Sequence, residues 1–287
     1  MAKSKAGGTR TYLRGRVGAD VYSIGKDGKG KKQQVVRSLA ESVANPQTTA
    51  QMRGRMIMST VMQAQSALAQ LIDHSFDNVV AGQPSISEFI RRNYALVKAD
   101  AAAHSVDGNF FGLNKYGEKG VKGGKWNIAA GQAVLPAAVV VAAATAKIAL
   151  TAGTLTVGGL KAALGISGEE YITIVQITED GEAVFVRLYL STTLADSTAI
   201  TSDNVASLFT TEGNTTVTIA LSTNDINITL AGDTKLATGA IISKKQSGKF
   251  IHNDAVMTCG SGQNYPESVA LPTYPTGSEK FLNGGDL

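Results

Sequence analysis

The chain is poor in cysteine, aromatic residues and charge, and each shortage argues against a class of protein. Its single cysteine, Cys259, excludes an intrachain disulfide, and without a partner cluster of Cys and His it is expected to be inert. Aromatic residues make up 6% of the 287 residues, which argues against an enzyme with a deep aromatic-lined pocket. Charged residues make up only 17%, but 43% are hydrophobic, so the chain as a whole is not disordered.

Long apolar runs are also missing. The first ten residues, MAKSKAGGTR, have no apolar core of the kind a signal peptide needs. The apolar stretch 136–146 is too short to span a bilayer. We therefore expect no membrane partner and synthesis in a reducing compartment.

The charges that are present are unevenly distributed. The first 37 residues hold ten Lys or Arg against two Asp, whereas after residue 150 the acidic residues outnumber the basic ones. This pattern favours contact with nucleic acid or with a neighbouring subunit, and a solubilising tail is the alternative. The candidate contact residues are Lys3, Lys5, Arg10, Arg14, Arg16, Lys29, Lys31, Lys32, Arg53 and Arg55.

Residues 45–75 are predicted to form one long helix. Asn45 is a suitable N-cap, and Pro46 occupies the first helical position, where its missing N–H costs nothing. No charged residue occurs from Met56 to Ile72, although a solvated helix normally keeps charges on one face. We expect this helix to be covered partly by its own fold and partly by neighbouring copies. The predicted assembly seam consists of Met56, Val61, Met62, Leu68, Leu71 and Ile72.

The rest of the chain divides by composition. Residues 1–10 are predicted to be a basic flexible arm, and 11–105 a module of antiparallel hairpin strands and a helix pair. The second helix covers roughly 86–103 and opens on the capping box Ser85-Ile86-Ser87-Glu88. Residues 106–132 are rich in Gly, Lys and aromatics, and we expect this loop to lodge against a neighbouring subunit rather than stack on bases.

Short strands are predicted beyond residue 132. Alternating and β-branched runs mark strands at 171–178, 183–190, 215–222, 226–231 and 237–243, and one or two strands are predicted over 133–152. The run at 239–250 predicts a strand, a Ser-Gly turn and another strand, and a short helix is predicted over 156–164, ended by Gly165. Residues 133–259 therefore form a β-rich domain, and 260–287 an extended C-terminal arm. The predicted fold class is α+β: an N-terminal β-hairpin unit plus a long helix pair, followed by an antiparallel β-rich sandwich- or barrel-like domain, with extended terminal arms.

No set of residues suggests chemistry. The three histidines, at 74, 104 and 252, lack metal-ligand spacing, and Asp73 and His74 point in different directions on a helix. Ser261 lies in Cys-Gly-Ser-Gly-Gln, which does not match the Gly-x-Ser-x-Gly nucleophile pattern. We expect no catalytic, cofactor or metal site, and hence no enzyme.

Two segments carry a resemblance to a known kind of protein. The run RGRVGADVYSIGKDGKGKKQQVVRS is followed by NPQTTAQMRGRM, with Arg37-Ser38 ending a Gly-rich strand pair and Asn45, Pro46, Thr48 and Gln51 opening a helix. This pattern resembles structural proteins of phages of Bacteroidetes-type gut bacteria. The later run AIISKKQSGKF is similar to the closing hairpin of such proteins.

The resemblance implies a virion component such as a capsid, collar, ring or tail protein. On this basis we expect a non-enzymatic subunit that self-assembles into a symmetric shell, ring or tube in the host cytoplasm and remains in the virion. Its partners would be its own copies, other virion proteins and, through the basic N-terminal segment, DNA. The alternative is a nucleic-acid-binding or genome-packaging protein that uses the same basic segment and the Lys/aromatic loop.

Overall fold

The fold is described from a computed structural model of the chain. It describes residues 3–4, 13–26, 32–38, 49–77, 84–103, 120–121, 124–191 and 193–258. The chain divides into two compact units, Met1–Pro46 and Gln47–Leu287, which we call the N-terminal unit and the C-terminal unit. No helix within the described ranges is long and apolar enough to cross a membrane.

The N-terminal unit is one antiparallel sheet with strands in chain order. Its strands are β1 Lys3–Ser4, β2 Leu13–Val17, β3 Asp20–Lys26 and β4 Lys32–Ser38. Strand β1, which lies in the stretch 1–10 expected to be a flexible arm, pairs with β2 through Lys3 and Arg14. The Asp-Gly and Gly-rich sequence predicts a turn at 26–30, which lies outside the described residues after Lys26.

The C-terminal unit begins with helices. They are α1 Thr49–Ala67, α2 Ala69–Ile72 and α3 Ser85–Ala103, with α4 Val157–Leu164 later in the chain. The predicted single helix is interrupted at Leu68, whose φ of −98° and ψ of 9° leave the helical region. The proposed cap at Asn45 and Pro46 lies outside the described residues.

Eleven strands are described in the C-terminal unit, together with the 3-10 helices Ala152–Thr154 and Val205–Leu208. The strands are β5 Lys125–Ala129, β6 Val139–Ala142, β7 Thr145–Ala149, β8 Tyr171–Thr178, β9 Ala183–Leu190, β10 Phe209–Gly213, β11 Val217–Ser222, β12 Asp225–Leu230, β13 Lys235–Gln246, β14 Lys249–His252 and β15 Ala255–Thr258.

These strands form three antiparallel sheets. A five-stranded sheet has the order β10-β9-β8-β13-β14, a four-stranded sheet the order β11-β12-β7-β6, and β15 pairs with β5. Each sheet ends on edge strands in the described part of the chain. The α+β class is thereby confirmed.

The five-stranded sheet is the middle layer of the C-terminal unit, because its central strands are buried on both faces. Along β8, Ile172 and Ile174 point to one core, whereas Val175 and Ile177 point to the other. The first core packs this sheet against α1, α2, α3 and the β5–β15 pair. The second packs it against the four-stranded sheet and α4.

This arrangement changes the domain division expected from composition. Ile57 and Phe89 of the helices share a core with Ile128 and Ile241 of the strands. Since a continuous apolar core defines a domain, the helices belong with the β-rich part, and the boundary between the compact units falls after Pro46 in the sequence instead of near residue 105.

Several predicted elements coincide with the structure. Strands β8 and β9 have the predicted limits, and α4 is capped by the Thr156 hydroxyl at Gly159 N and ended by Gly165 with φ of 58°. The predicted Ser-Gly turn is present, with Ser247 and Gly248 at φ of 51° and 80°. Strands β5, β10 and β15 were not predicted.

Candidate functional site

The N-terminal sheet has a basic face. Arg16 lies opposite Val21, and Val21 lies opposite Arg37, so the three residues form one row across β2, β3 and β4. Residues directly opposite each other on neighbouring strands share a face. Both arginines are exposed, and Arg16 Nε donates to the carbonyl of Gly18 at 2.9 Å. We call this surface the basic face.

The opposite face of this sheet is apolar at its centre and polar towards both ends, where Asp20 and Lys26 lie on β3 and Gln34 and Ser38 on β4. Tyr22 lies opposite Val36, and Ile24 follows Tyr22 on the same side of β3. Tyr22 and Ile24 are half-buried, while Val36 is 51% exposed on the edge strand β4. None of the side chains described in this unit is buried. The sheet thus has an apolar face but, in its described residues, no core.

The other predicted contact residues are described less fully. Arg55 is half-buried on α1. Four positions lie in elements whose backbone alone is described there: Lys3, Arg14, Lys32 and Arg53. The remaining four lie outside the described residues: Lys5, Arg10, Lys29 and Lys31.

The predicted assembly seam falls mostly inside the chain's own core. Four of its members are buried in the core between the helices and the five-stranded sheet: Val61, Leu68, Leu71 and Ile72. Their spacing keeps them on one side of the α1–α2 segment, which faces the sheet. The side chain of Met56 is not among those described. Contacts within the chain therefore account for the burial of these four residues.

A different stripe of α1 remains uncovered. Met58 and Met62, four residues apart, are exposed large apolar side chains, and Ser66 continues the same row. This stripe is uncharged and separate from the buried side of the helix. The flexible methionine side chains of this stripe therefore form an apolar surface on the outside of the helix.

Trp126 does not belong to an exposed aromatic loop, as its sequence context suggested. It lies on β5, is fully buried and stacks on Phe89 with ring centroids 6.2 Å apart and an interplanar angle of 8°. Four successive residues of β5 are buried, because α3 packs against the strand and Ile128 lies against Gly239 of β13. The other aromatics of that loop, Phe110, Phe111 and Tyr116, lie outside the described residues.

A polar cleft lies at one end of the five-stranded sheet. Tyr189, Tyr171, Ser243 and His252 form one row across β9, β8, β13 and β14, because each is the register partner of the next. The cleft is an open surface depression of about 650 Å³. Its rim and floor are completed by Asp73, His74, Phe76, Asp77, Glu169, Arg187 and Phe250.

A clasp between Asp77 and His252 closes one side of the cleft. One oxygen of Asp77, Oδ1, lies 2.6 Å from His252 Nδ1, and the other accepts the His252 backbone N–H at 2.5 Å. Asp77 N donates to the carbonyl of Ala130 at 2.8 Å. The residue at 131 is glycine because a Cβ there would overlap the His252 carbonyl and the Asp77 carboxylate. The clasp fixes the segment after α2 to the end of β14.

The phenol of Tyr189 is held neutral beside the cleft. Burial, followed by the hydrogen bond to the Glu212 carboxylate at 3.1 Å, raises the pKa of Tyr189 to about 12. At the rim, the hydrogen bond from Lys245 lowers the pKa of the Glu169 carboxyl. Near neutral pH, Tyr189 therefore stays protonated and Glu169 stays ionised. The two groups can donate or accept hydrogen bonds in the cleft, but neither changes its protonation state there.

Sequence reasoning did not find this cleft. Asp77 and His252 are 175 positions apart, and no local motif links them. The only available signal was the alternation on each strand, which puts Tyr171 and Tyr189 on the same face once β8 and β9 pair. Among the residues the structure describes, no group of three or more His, Cys, Asp or Glu could hold a metal ion.

Comparison with protein-family models, with curated proteins and with solved structures finds no match to this chain.

Proposed function

We propose that this protein is a non-enzymatic phage virion subunit that self-assembles into a symmetric shell, ring or tube, such as a capsid, collar or tail component. The phage context comes from the resemblance of the N-terminal pattern and the 240–250 hairpin to phage structural proteins. The subunit would be made in the host cytoplasm and reside in the virion, beside its own copies and other virion proteins.

The observation that carries the assembly part is the uncovered apolar face of the N-terminal sheet. A small sheet is stable in water only when an apolar face is packed against something. Tyr22, Ile24 and Val36 supply such a face, and none of the described side chains of the sheet is buried. An edge strand with exposed valines, such as β4 with Val35 and Val36, is also a template for pairing with another chain.

The distribution of charge along the chain favours a second copy of the protein as the partner that covers this apolar face. The N-terminal unit holds ten Lys or Arg against three Asp or Glu, a net charge of +7. The whole chain carries +4, which leaves −3 on residues 47–287. Units of opposite sign on one chain favour head-to-tail contacts between copies, which close into rings or continue into tubes.

The test is the state of association of the purified chain, measured by size-exclusion chromatography with light scattering and by negative-stain imaging. Val36→Lys places a charge on the uncovered face and should weaken association by at least about tenfold. Val134→Lys is the matched control, because Val134 is 79% exposed and belongs to the C-terminal unit outside any strand. A wild-type chain that remains monomeric at high concentration in both low and high salt would contradict the proposal.

The basic face favours a second candidate function, binding of nucleic acid or genome packaging. Arg16 and Arg37 are exposed on one row of the sheet, where both can reach phosphates of one strand. Affinity for DNA, followed by fluorescence anisotropy, should fall steeply with salt, and the double variant Arg16→Gln/Arg37→Gln should reduce the salt slope by about 2. Absence of binding at low salt would remove this candidate without affecting assembly.

A further inference from the structure

The polar cleft carries an excess of negative charge. Asp73, Asp77 and Glu169 line it, and Glu212 lies directly behind Tyr189. The positive groups at the same place are Arg187, which pairs with Glu212 at 3.4 Å, and Lys245, which pairs with Glu169. The four carboxylates and two cations give a balance of −2, with the two histidines left out of the count. A concave site focuses such a field and raises the local concentration of cations.

The cleft also contains a cluster of aromatic rings, one of which already contacts a cationic side chain, that of Arg187. The ring of Tyr171 lies 5.0 Å from that of Tyr189 and 5.7 Å from that of Phe250. The guanidinium carbon of Arg187 lies 5.8 Å from the centre of the Tyr171 ring, within the range of a cation–π contact. Phe250 is 39% exposed, so the outer part of the cluster remains open to a further group.

The rim contains an ion pair that an incoming cation can replace. Glu169 and Lys245 have side chains 72% and 46% exposed, and exposed pairs of this kind contribute little to stability. Asp73, also exposed, lines the same cleft. A Lys or Arg side chain that enters the cleft would meet carboxylates and the face of an aromatic ring.

We propose that the polar cleft binds a lysine or arginine side chain from the basic N-terminal segment of a second copy of this chain. Residues 1–17 carry five Lys or Arg and no acidic residue, which complements the cleft in charge and in chemistry. The inference rests on the proposed self-assembly and names one site through which it occurs. The cleft then acts as the socket of a head-to-tail contact.

Binding of a peptide tests the chemistry of the socket independently of assembly. The probe is a fluorescent peptide of residues 1–17, and the receptor is the full chain with Lys3, Lys5, Arg10, Arg14 and Arg16 replaced by Gln, so that its own segment does not compete. We expect anisotropy to show binding that weakens with salt. A peptide with the same five replacements should not bind, and equal binding of the two peptides would overturn the inference.

Charge-matched variants of the receptor locate the site. Asp73→Asn/Glu169→Gln should weaken binding by at least about fivefold, as should Phe250→Ala, because each removes part of the socket. The control Glu179→Gln/Asp203→Asn removes the same charge from exposed positions outside the cleft and should bind as before. Thermal melting verifies that the variants fold. If both charge variants lose affinity equally, the attraction is nonspecific and the inference fails.

Cross-linking shows whether a second copy donates the cation. Equal amounts of ¹⁵N-labelled and unlabelled full chain are mixed and treated with a carbodiimide, which joins carboxylates to lysines at zero length. Cross-links from Asp73 or Glu169 to Lys3 or Lys5 that mix the two isotopes support the inference. Cross-links between these same residues that have a single isotope composition, or none from these carboxylates to Lys3 or Lys5, overturn it, whereas an intrachain link between Glu169 and Lys245 is expected in either case. If the chain assembles and the cleft variants assemble equally well, the proposed function stands and the inference about the cleft fails. If the chain binds the peptide but never associates with its own copies, the proposed function is contradicted.

Discussion

At the scale of single residues, neighbours on α1 occupy opposite environments. Val61 is fully buried between the helices and the five-stranded sheet, whereas Met62 is 39% exposed. Both residues belong to the same uncharged stretch of sequence, and both are hydrophobic, so composition alone does not predict different environments for them. The helical rotation of about 100° per residue separates them.

Replacing Val61 by Asp should unfold the C-terminal unit. An unpaired carboxylate in this core costs several kcal/mol, comparable with the roughly 5–15 kcal/mol that stabilises a whole domain. Met62→Asp, one residue away, should fold like the wild type. Circular dichroism and thermal melting compare the two, and a stable, cooperatively folded Val61→Asp variant would show that this side of the helix is not core.

Gly131 is a second position where a single added carbon atom should change the stability of the fold. A Cβ would meet the His252 carbonyl and the Asp77 carboxylate, so Gly131→Ala must displace the clasp. We expect a loss of about 2–4 kcal/mol in the free energy of unfolding, measured in urea. Gly153→Ala is the control, because nothing lies within 4 Å of its added methyl group. Equal stability of the two variants would mean that the clasp tolerates displacement.

At the scale of elements, α3 is stabilised differently from what its first residues suggest. The Ser85-Ile86-Ser87-Glu88 sequence predicted a capping box, but the helix already includes Ser85. The nearly buried carboxylate of Glu88 accepts hydrogen bonds from Arg91 Nε at 2.8 Å and Arg92 Nε at 2.7 Å. Glu88 therefore anchors an ion-pair triad within the first turns of the helix.

This triad predicts a pH dependence. The hydrogen bond from Arg91, ahead of the other contributions, lowers the pKa of Glu88 from 4.5 to about 2. A carboxyl group whose pKa is lower in the folded state stabilises fully above its unfolded pKa and loses that contribution as pH falls towards the folded value. Glu88→Gln should cost roughly 1–2 kcal/mol at pH 7, allowing for the exposure of Arg91.

The difference between wild type and Glu88→Gln should shrink as pH falls from 4.5 towards 2, measured by urea unfolding at each pH. The exposed Glu179→Gln serves as the control and should show little difference at any pH. A Glu88→Gln penalty that is constant from pH 7 to pH 2.5 would contradict the role of the ionised carboxylate.

At the scale of the whole molecule, the five-stranded sheet joins the two cores of the C-terminal unit. Its strands β8, β9 and β13 contribute side chains to both. A substitution that disrupts the packing of either core therefore destabilises the same strands. We expect residues 47–287 to unfold in one cooperative transition.

Trp126, the only tryptophan of the chain, makes this testable because it reports on the core that contains the helices. Leu160 lies on α4 in the other core and is fully buried. Leu160→Ala should cost about 2–5 kcal/mol and shift the Trp126 fluorescence transition by as much as it shifts the far-ultraviolet circular dichroism signal. An unshifted fluorescence transition would show that the two cores unfold separately.

Local patterning determined the elements whose signals lie within a few residues. Alternation specified β8 and β9, Thr156 and Gly165 marked the ends of α4, and Ser247-Gly248 marked a turn, because propensity and capping act between near neighbours. Tertiary structure decided the rest. The β5 strand looked like a Gly-rich loop until α3 packed against it and Trp126 stacked on Phe89, and the uncharged helix turned out to pack against α3 within the chain's own core. The polar cleft depends on strands and loops far apart in the chain, whose side chains meet only through the register of the five-stranded sheet.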